Sequence, residues 1–447
     1  MANSPERDFV LKTVRERGIH FLRFWFTDVL GTLKSFAVTP AELESTFDEG
    51  VGFDGSSIQG FVPIEESDMV AFPDPSTFQV LPWRPKDNGV ARMFCDIRNP
   101  DGSAFDGDSR LALRRVLDKA ADMGYSMNIG AEMEYFYFKD DTSTEPIDKG
   151  GYFDLTSLDN AHDLRRDTVL TLEKMGIPVE YSHHEAAPSQ QEVDLRYSDP
   201  MSMADAVMTF RLVAKEIAIQ QGVHASFMPQ PINGESGSGM HLHQSLFDEE
   251  GNNAFFDPDD PDGHNLSLVA KRYLAGILKY APEYTIVTNQ YVNSYKRLVH
   301  GTSTPVYTNW SECDRSTMVR IPMYKPGKES ATRIEIRSPD PTANPYLAFA
   351  ATLAAGLKGI EDGLELSAPC SVVEIEGMSD AERAEHKVQS LPRDLGEAIS
   401  CFESSELMRE VLGEHIHRFY VENKKREWES YCTYVSDWEL KRYLQKL

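Results

Sequence analysis

The stretch AEMEYFYF sets Glu132 and Glu134 two residues apart. On a β-strand that spacing points both carboxylates to one face, where Phe136 and Phe138 follow them. Adjacent carboxylates continuing an apolar face repel each other and lose hydration, and a cation relieves both costs. An isolated pair of this kind fits a half-exposed edge strand equally well, but three other segments carry related chemistry. SHHEAAPSQQEVDLRY offers Glu185 and Glu192 around a proline-containing loop, GMHLHQSL places His241 and His243 on one strand face, and TRIEIRSPDP does the same for Glu335 and Arg337. Together they form an oxygen-rich set with one or two imidazoles, which suits Mg²⁺ or Mn²⁺ rather than zinc or a redox metal.

Basic residues follow at Lys296, Arg297, Arg315, Arg320, Arg333 and Arg337, in a chain otherwise short of positive charge. Arginine beside divalent-metal ligands clamps phosphate and carboxylate groups, so the combination points to phosphoryl transfer. The glycines of GESGSGM (Gly234, Gly237, Gly239) let backbone amides approach an anion closely. Neither a GxGxxG fingerprint nor a P-loop is present, so the most easily recognised nucleotide-binding motifs are absent.

The elements that must position these groups are mixed. SPERDFVLKTVRERG has a capping serine, a proline in the first turn and helical apolar spacing, while IHFLRFWFTDVLGTLKSFAVT reads as two strands around a turn at Asp28 to Gly31. Strand-like ARMFCDIRNP gives way to the Gly/Asp-rich DGSAFDGDSR and then to the helical LALRRVLDKAADMG, which places a domain boundary near residue 105. Beyond it, MNIGAEMEYFYF and GMHLHQSLF are strands, and AHDLRRDTVLTLEKMG and MSMADAVMTFRLVAKEIAIQQG are helices, with no regular βαβ period. The end, FYVENKKREWESYCTYVSDWELKRYLQKL, is helical and rich in aromatics. The fold class is α+β, a small unit over 1–105 and a larger one over 106–447.

A chain of 447 residues and 50.4 kDa suits such a division. Acidic residues outnumber basic ones 71 to 45, a net charge of -26 spread along the whole chain. An even acidic coat of this strength suggests a halophilic protein in a salt-rich cytosol, where screening makes self-repulsion tolerable, and it argues against nucleic acid or anionic membrane as partners. The five cysteines are odd in number and widely spaced, which indicates neither a disulfide framework nor a zinc site. The charged start lacks an apolar signal core and the longest apolar run, near LAFAATLAAGL, is too short to span a bilayer, so the expected location is cytoplasmic.

At this point the residues resemble a known family, glutamine synthetase in its short bacterial and archaeal class I form. The match runs nearly end to end, through FDGSSIQGF, PDPSTF, GGYFDL, HHEAAPSQQEVD, GSGMHLHQSL, NSYKRL, RIEIRSPDPTANPYL and WELKRYL. The resemblance implies an N-terminal β-grasp domain and a C-terminal catalytic domain built on an antiparallel sheet with helices. It also implies a homododecamer of two hexameric rings, with each active site lying between neighbours. It assigns Glu134, Glu185 and Glu192 to one divalent metal and Glu132, His241 and Glu335 to the other. Arg297, Arg337 and Gly237 fall to glutamate, and Arg315, Arg320, Arg333 and His243 to ATP phosphates or the transferred phosphoryl group. Asp54 and Ser57, with Tyr152, reach the acceptor nitrogen across the subunit interface. Asp54, Arg315 and Glu335 form the catalytic set. ATP serves as cosubstrate: it converts the γ-carboxylate of glutamate into an acyl phosphate, which a deprotonated amine then attacks.

The departures sit at the acceptor end. Family members continue NSYKRLVPG with Tyr-Glu-Ala-Pro, and that flap glutamate binds ammonium and helps remove its proton; the aligned residues here are Thr302, Ser303, Thr304 and Pro305. Ser303 offers a hydrogen bond but neither the charge nor the basicity. The usual proline before the flap glycine is His300, the usual Asn-Gly-Ser-Gly begins at Ser236, and the Arg-Asn-Arg-Ser segment starts at Cys313. Pro63 stands where class I enzymes of this type carry a feedback arginine, and SLPRDLGEA has no counterpart of the adenylylated tyrosine segment. Three readings follow: a glutamate–amine ligase for putrescine or another polyamine, an ammonia-using glutamine synthetase, and a catalytically silent regulatory homologue. Retention of all six metal-ligand positions speaks against the third.

Overall fold

The computed structural model describes residues 4–84, 87–299 and 304–447; Ser303, with His300 and Thr302, lies outside the described residues. Ser4 accepts a hydrogen bond from the Arg7 amide at 3.2 Å and so caps α1 (Pro5–Glu16), as the Ser-Pro start predicts. β1 (Ile19–Thr27) and β2 (Leu33–Val38) pair antiparallel around the expected turn, which Asp28 closes by accepting from the Thr32 amide at 2.7 Å. After α2 (Leu43–Glu49) come β3 (Val51–Asp54), β4 (Asp68–Pro73), β5 (Gln79–Val80) and β6 (Gly89–Arg98). The sheet order is β2-β1-β6-β4-β3 with β5 on β6; β1 and β6 run parallel and the other pairs antiparallel. Phe26, Phe36, Phe53 and Phe61 fill its apolar side with ring contacts between 5.1 and 6.5 Å.

The larger unit carries α3 (Ser109–Asp122), β7 (Ser126–Phe138), α4 (His162–Lys174), β8 (Val179–His184), β9 (Gln190–Ser198), α5 (Pro200–Gln220), β10 (His224–Ser226) and β11 (Met240–Phe247). Then follow α6 (Leu268–Thr288), α7 (Ser294–Arg297), β12 (Trp310–Ser311), β13 (Val319–Arg320), β14 (Ile334–Ile336) and α8 (Pro345–Glu361). Strand order is β12-β13-β14-β11-β7-β9-β8, with β10 on β7. The pairs are antiparallel as expected, except that the two-residue strands β12 and β13 run parallel.

Period-two alternation divides this sheet into two chemistries. Ala131, Met133 and Tyr135 of β7, Val193 and Leu195 of β9, Met240 and Leu242 of β11, and Ile334 and Ile336 of β14 join one core. α5, α6 and α8 supply much of the rest of that core. The intervening residues, Glu132, Glu134, Glu192, His241, His243 and Glu335, face the other way. The apolar run LAFAATLAAGL lies in α8 and is buried among these helices, and among the described residues no helix is long and apolar enough to cross a membrane.

The C-terminal helical region comprises α9 (Val372–Gly377), α10 (Asp380–Glu385), α11 (Leu395–Glu403), α12 (Glu406–Thr433) and α13 (Asp437–Tyr443). α12 breaks its helical geometry at Gly413, and the aromatic-rich end splits where Ser436 caps α13. Trp438 is 60% exposed and Tyr434 68%.

Candidate active site

Strand pairing alone brings most of the sequence-predicted ligands together. Glu132 stands opposite His241 across β7 and β11, and His243 opposite Glu335 across β11 and β14. Glu134 stands opposite Glu192 across β7 and β9, and Arg320 opposite Glu335 across β13 and β14. Directly opposed residues have Cβ atoms only about 5 Å apart, so their side chains must interact.

One half of the site is internally neutralised. Glu132 Oε1 lies 2.6 Å from His243 Nε2 and its Oε2 lies 2.8 Å from His241 Nδ1. Arg333 Nε donates to His243 Nδ1 at 3.0 Å, which leaves the proton of a neutral His243 on Nε2, facing Glu132. Glu335, completely buried, accepts from Arg320 Nε at 2.6 Å and is ion-paired with Arg337. Burial alone would raise both carboxyl groups, but the imidazoles beside Glu132, and the imidazoles and Arg337 around Glu335, hold them below the usual carboxylate range.

The other half is short of positive charge. Glu134 accepts from the Gly239 amide at 2.9 Å and from Gln190 Nε2 at 3.0 Å, with His241 Nε2 at 3.7 Å from its second oxygen. Burial, reinforced by Glu185, still pushes it up to about 8. Glu192 is raised well above the ordinary range, first by burial and then by Glu134, Asp194, Glu132 and Glu185. This is the electrostatic signature of a site that divalent cations complete. The ligand atoms of Glu132, His243 and Glu335 lie within 4.8 Å of one another, as do those of His183, Glu185 and Glu192. Such hard oxygen donors with one imidazole fit divalent metal ions.

The arginines frame this face. Arg297, 3% exposed, donates to the carbonyls of Ser338 at 2.9 Å, Pro339 at 3.2 Å and Arg337 at 3.1 Å. Gly237 packs between it and the Pro229 carbonyl, since a Cβ there would lie 3.3 Å from Arg297 Cγ and 2.3 Å from that carbonyl. Arg315 is exposed, with its carbonyl held at 2.7 Å by Arg337 Nε. Tyr152 is 54% exposed and stacks on Phe153, whose ring in turn meets His183 at 4.7 Å.

Asp54 and Ser57 are not gathered with these groups. They stand at the end of β3 on the other sheet, where Asp54 accepts from the amide and hydroxyl of Ser56 at 2.8 and 2.7 Å. A cavity of about 620 Å³ lies between this loop and α12, lined by Ser57, His415 and Arg418 and by none of the sheet carboxylates. Two residues of the sheet face escape the sequence reading. His183 Nε2 lies 3.1 Å from Glu185 and 3.6 Å from Glu192. Asp194, 5% exposed, is pushed up to about 7 by burial and Glu132. Its signal was present: EVD repeats the two-residue spacing of EME.

The N-terminal sheet matches the family model "Glutamine synthetase, beta-Grasp domain" over residues 18–100, and the remainder matches "Glutamine synthetase, catalytic domain" over 106–443. A glutamine synthetase of Mycolicibacterium smegmatis is 53% identical over 98% of this chain and 99% of its own, and one of Halobacterium salinarum is 48% identical over 98% and 96%. A solved structure described as a GmaS/ADP complex superposes with a TM-score of 0.87 at 30% identity, covering 97% of this chain and 99% of that one. With both sheets, the opposed carboxylates and the arginine frame accounted for, the chain belongs to the class I glutamine synthetase family and is an ATP-dependent ligase forming a C–N bond between glutamate and ammonia or an amine.

Proposed function

We propose that the acceptor is an organic amine, putrescine or another polyamine, and that the product is a γ-glutamyl-amine formed through γ-glutamyl phosphate. The observation that carries this reading is Ser303 at the position in the sequence where the family places its flap glutamate, in a chain that keeps the charged residues we assign to glutamate and phosphate. The return of that loop is anchored by Thr304 Oγ1, which donates to the Arg297 carbonyl at 2.7 Å. A flap without its carboxylate lacks the charge that holds ammonium and leaves more room for a substituted nitrogen.

In this reading Arg297, Arg337 and Gly237 bind glutamate, while Arg315, Arg320, Arg333 and His243 grip the phosphates. Glu134, Glu185 and Glu192 hold one Mg²⁺ or Mn²⁺, and Glu132, His241 and Glu335 hold another. Bound there, the ions would neutralise the anions that must meet. A γ-carboxylate oxygen of glutamate attacks the terminal phosphorus of ATP and the bond to the bridging oxygen breaks, releasing ADP. The amine nitrogen then attacks the acyl carbon, phosphate leaves, and the surplus proton passes to a carboxylate base, which we assign to Asp54. Asp54 and Ser57 stand apart from the sheet face of their own chain, which supports their serving a neighbouring subunit alongside its Tyr152. The exposed aromatic end around Trp438 supports a dodecameric assembly. The need for ATP and the acidic coat support a salt-rich cytoplasm as the setting.

A second reading, ammonia as acceptor, is favoured by the name glutamine synthetase carried by relatives 53% and 48% identical. Phosphate release with ATP, Mg²⁺ and glutamate in concentrated potassium chloride separates the two. Turnover with putrescine, spermidine or ethanolamine above that with ammonium supports the proposal; the reverse order overturns it.

A further inference from the structure

At the end of β8, the last strand in the sheet order, lies a buried polar cluster without an assigned role. The side chains of Asp148 and His184 are completely buried. His184 Nε2 faces Asp148 Oδ1 at 3.2 Å and its Nδ1 faces the Glu185 carbonyl at 2.7 Å, so the ring is held from both sides by oxygens. Asp148 Oδ1 also accepts from the Ser189 amide at 2.7 Å, and its Oδ2 accepts from the Asn160 amide at 3.2 Å. The ligand atoms of Asp148, Asp159 and His184 lie within 4.8 Å of one another, but Asp159 is ion-paired with Arg165 at 2.8 Å. The cluster therefore satisfies itself and is not a cation site.

Its hydrogen bonds reach both the Tyr152 loop and the segment that carries Glu185. Asp148 and Asn160 bracket the loop that carries Tyr152, and the Phe153 amide donates to the His184 carbonyl at 3.0 Å. His184 is the last residue of β8, immediately before Glu185, whose amide donates to the Gln190 carbonyl at 2.8 Å. Gln190 in turn reaches Glu134 at 3.0 Å. A Cβ at Gly150 would meet His184 Nε2 at 2.7 Å, so the loop passes the ring with no space between them.

We infer that Asp148 and His184 are positioning residues, a buried carboxylate–imidazole brace that fixes the Tyr152 loop to Glu185 and so couples acceptor binding to metal binding. This rests on the reading of Tyr152 as acceptor-facing and Glu185 as a metal ligand. Groups one bond removed from metal ligands typically set affinity by about 10- to 100-fold.

The test uses Asp148→Asn and His184→Gln in the full-length protein. Mn²⁺ binding is followed by electron paramagnetic resonance without substrates, and KM is measured for ATP and for whichever acceptor the wild type uses, ammonium included. The brace requires a Mn²⁺ Kd and an acceptor KM each raised about 10-fold with ATP KM within about 2-fold. His184→Ala should be worse than His184→Gln, which keeps a donor toward Asp148. Unchanged acceptor KM and Mn²⁺ Kd, or a parallel rise in all three constants with a lowered Tm, overturns it. Tyr152→Ala tests the underlying reading separately: it should raise acceptor KM without moving Mn²⁺ affinity, and an unchanged acceptor KM removes the loop from the acceptor site.

Discussion

His243 Nε2 lies 2.6 Å from Glu132 Oε1, with Arg333 held 3.0 Å from the opposite ring nitrogen. A residue we assign to phosphate and one we assign to metal are thus joined, and Arg333 fixes the tautomer that makes the contact possible. The arrangement predicts that His243→Ala and Arg333→Ala behave alike. Each removes a charge-assisted hydrogen bond worth about 1.5–3 kcal/mol, so each should lower kcat/KM for ATP by roughly 10- to 100-fold, and the double variant should lose less than the product of the two. Steady-state kinetics with varied ATP checks this; full additivity would show that the two side chains act independently.

Glu134 predicts a trade between stability and function. With its folded pKa pushed up to about 8 from 4.5 by burial and Glu185, its protonated form favours the fold. That contribution is fully present below about pH 4.5 and is lost as pH rises through about 8. Metal-free protein in EDTA should therefore lose stability across this interval, and Glu134→Gln should flatten the slope. The variant should melt about 1 °C above wild type at pH 8 in EDTA, the equivalent of roughly 1 kcal/mol. It should also gain less stability than wild type from Mg²⁺ or Mn²⁺, since only one of the two sites loses a ligand, and lose at least about 100-fold in turnover. A variant that melts below wild type in EDTA would mean that Glu134 is already compensated without metal.

What was legible in the sequence was the part that alternation controls. EME, HLH and EIR each carry their polar residues at a spacing of two, and the corresponding side chains converge on one sheet face with Met133, Leu242 and Ile336 on the other. The same rule applied to EVD would have added Asp194, and the pairing of β8 with β9 adds His183. What alternation does not encode is strand order: that Glu134 faces Glu192 depends on a contact between distant segments. The two-residue strands β12 and β13 are too short to leave a pattern, and their parallel pairing is set by their neighbours. Arg110 was likewise hidden in an ordinary helical pattern, although it is 4% exposed and bound to Asp96 of β6 and to Asp74 just after β4.

Ser303 predicts a reversible change of acceptor. A carboxylate about 4 Å from an ammonium ion contributes around 4 kcal/mol at an effective dielectric of 20, and screening by water and salt reduces this severalfold. Ser303→Glu should therefore raise kcat/KM for ammonium by about 10-fold and lower it for putrescine by a similar factor. Competition assays with both amines present read the ratio directly. If ammonium gains nothing, the flap position is not what distinguishes the acceptors.

Asn344 predicts how tightly the two sheets are joined. Completely buried, it caps α8 by accepting from the Tyr346 amide at 3.2 Å, and its Nδ2 donates toward the Val29 carbonyl at 3.1 Å and Ser109 Oγ at 2.8 Å. One amide therefore links the β1–β2 turn, the start of α3 and the helix buried behind the catalytic sheet. Asn344→Ala removes the cap and leaves a buried carbonyl without its donor, which together should cost about 2–4 kcal/mol. Asn344→Asp keeps the cap but turns a carboxylate oxygen toward the Val29 carbonyl in a dry site, so it should be the less stable of the two. Denaturant midpoints in the order wild type, alanine, aspartate support the amide donor as the dominant contribution. If aspartate equals or exceeds alanine, the cap alone accounts for the residue and the joint between the sheets is carried by the ion pairs of Arg110.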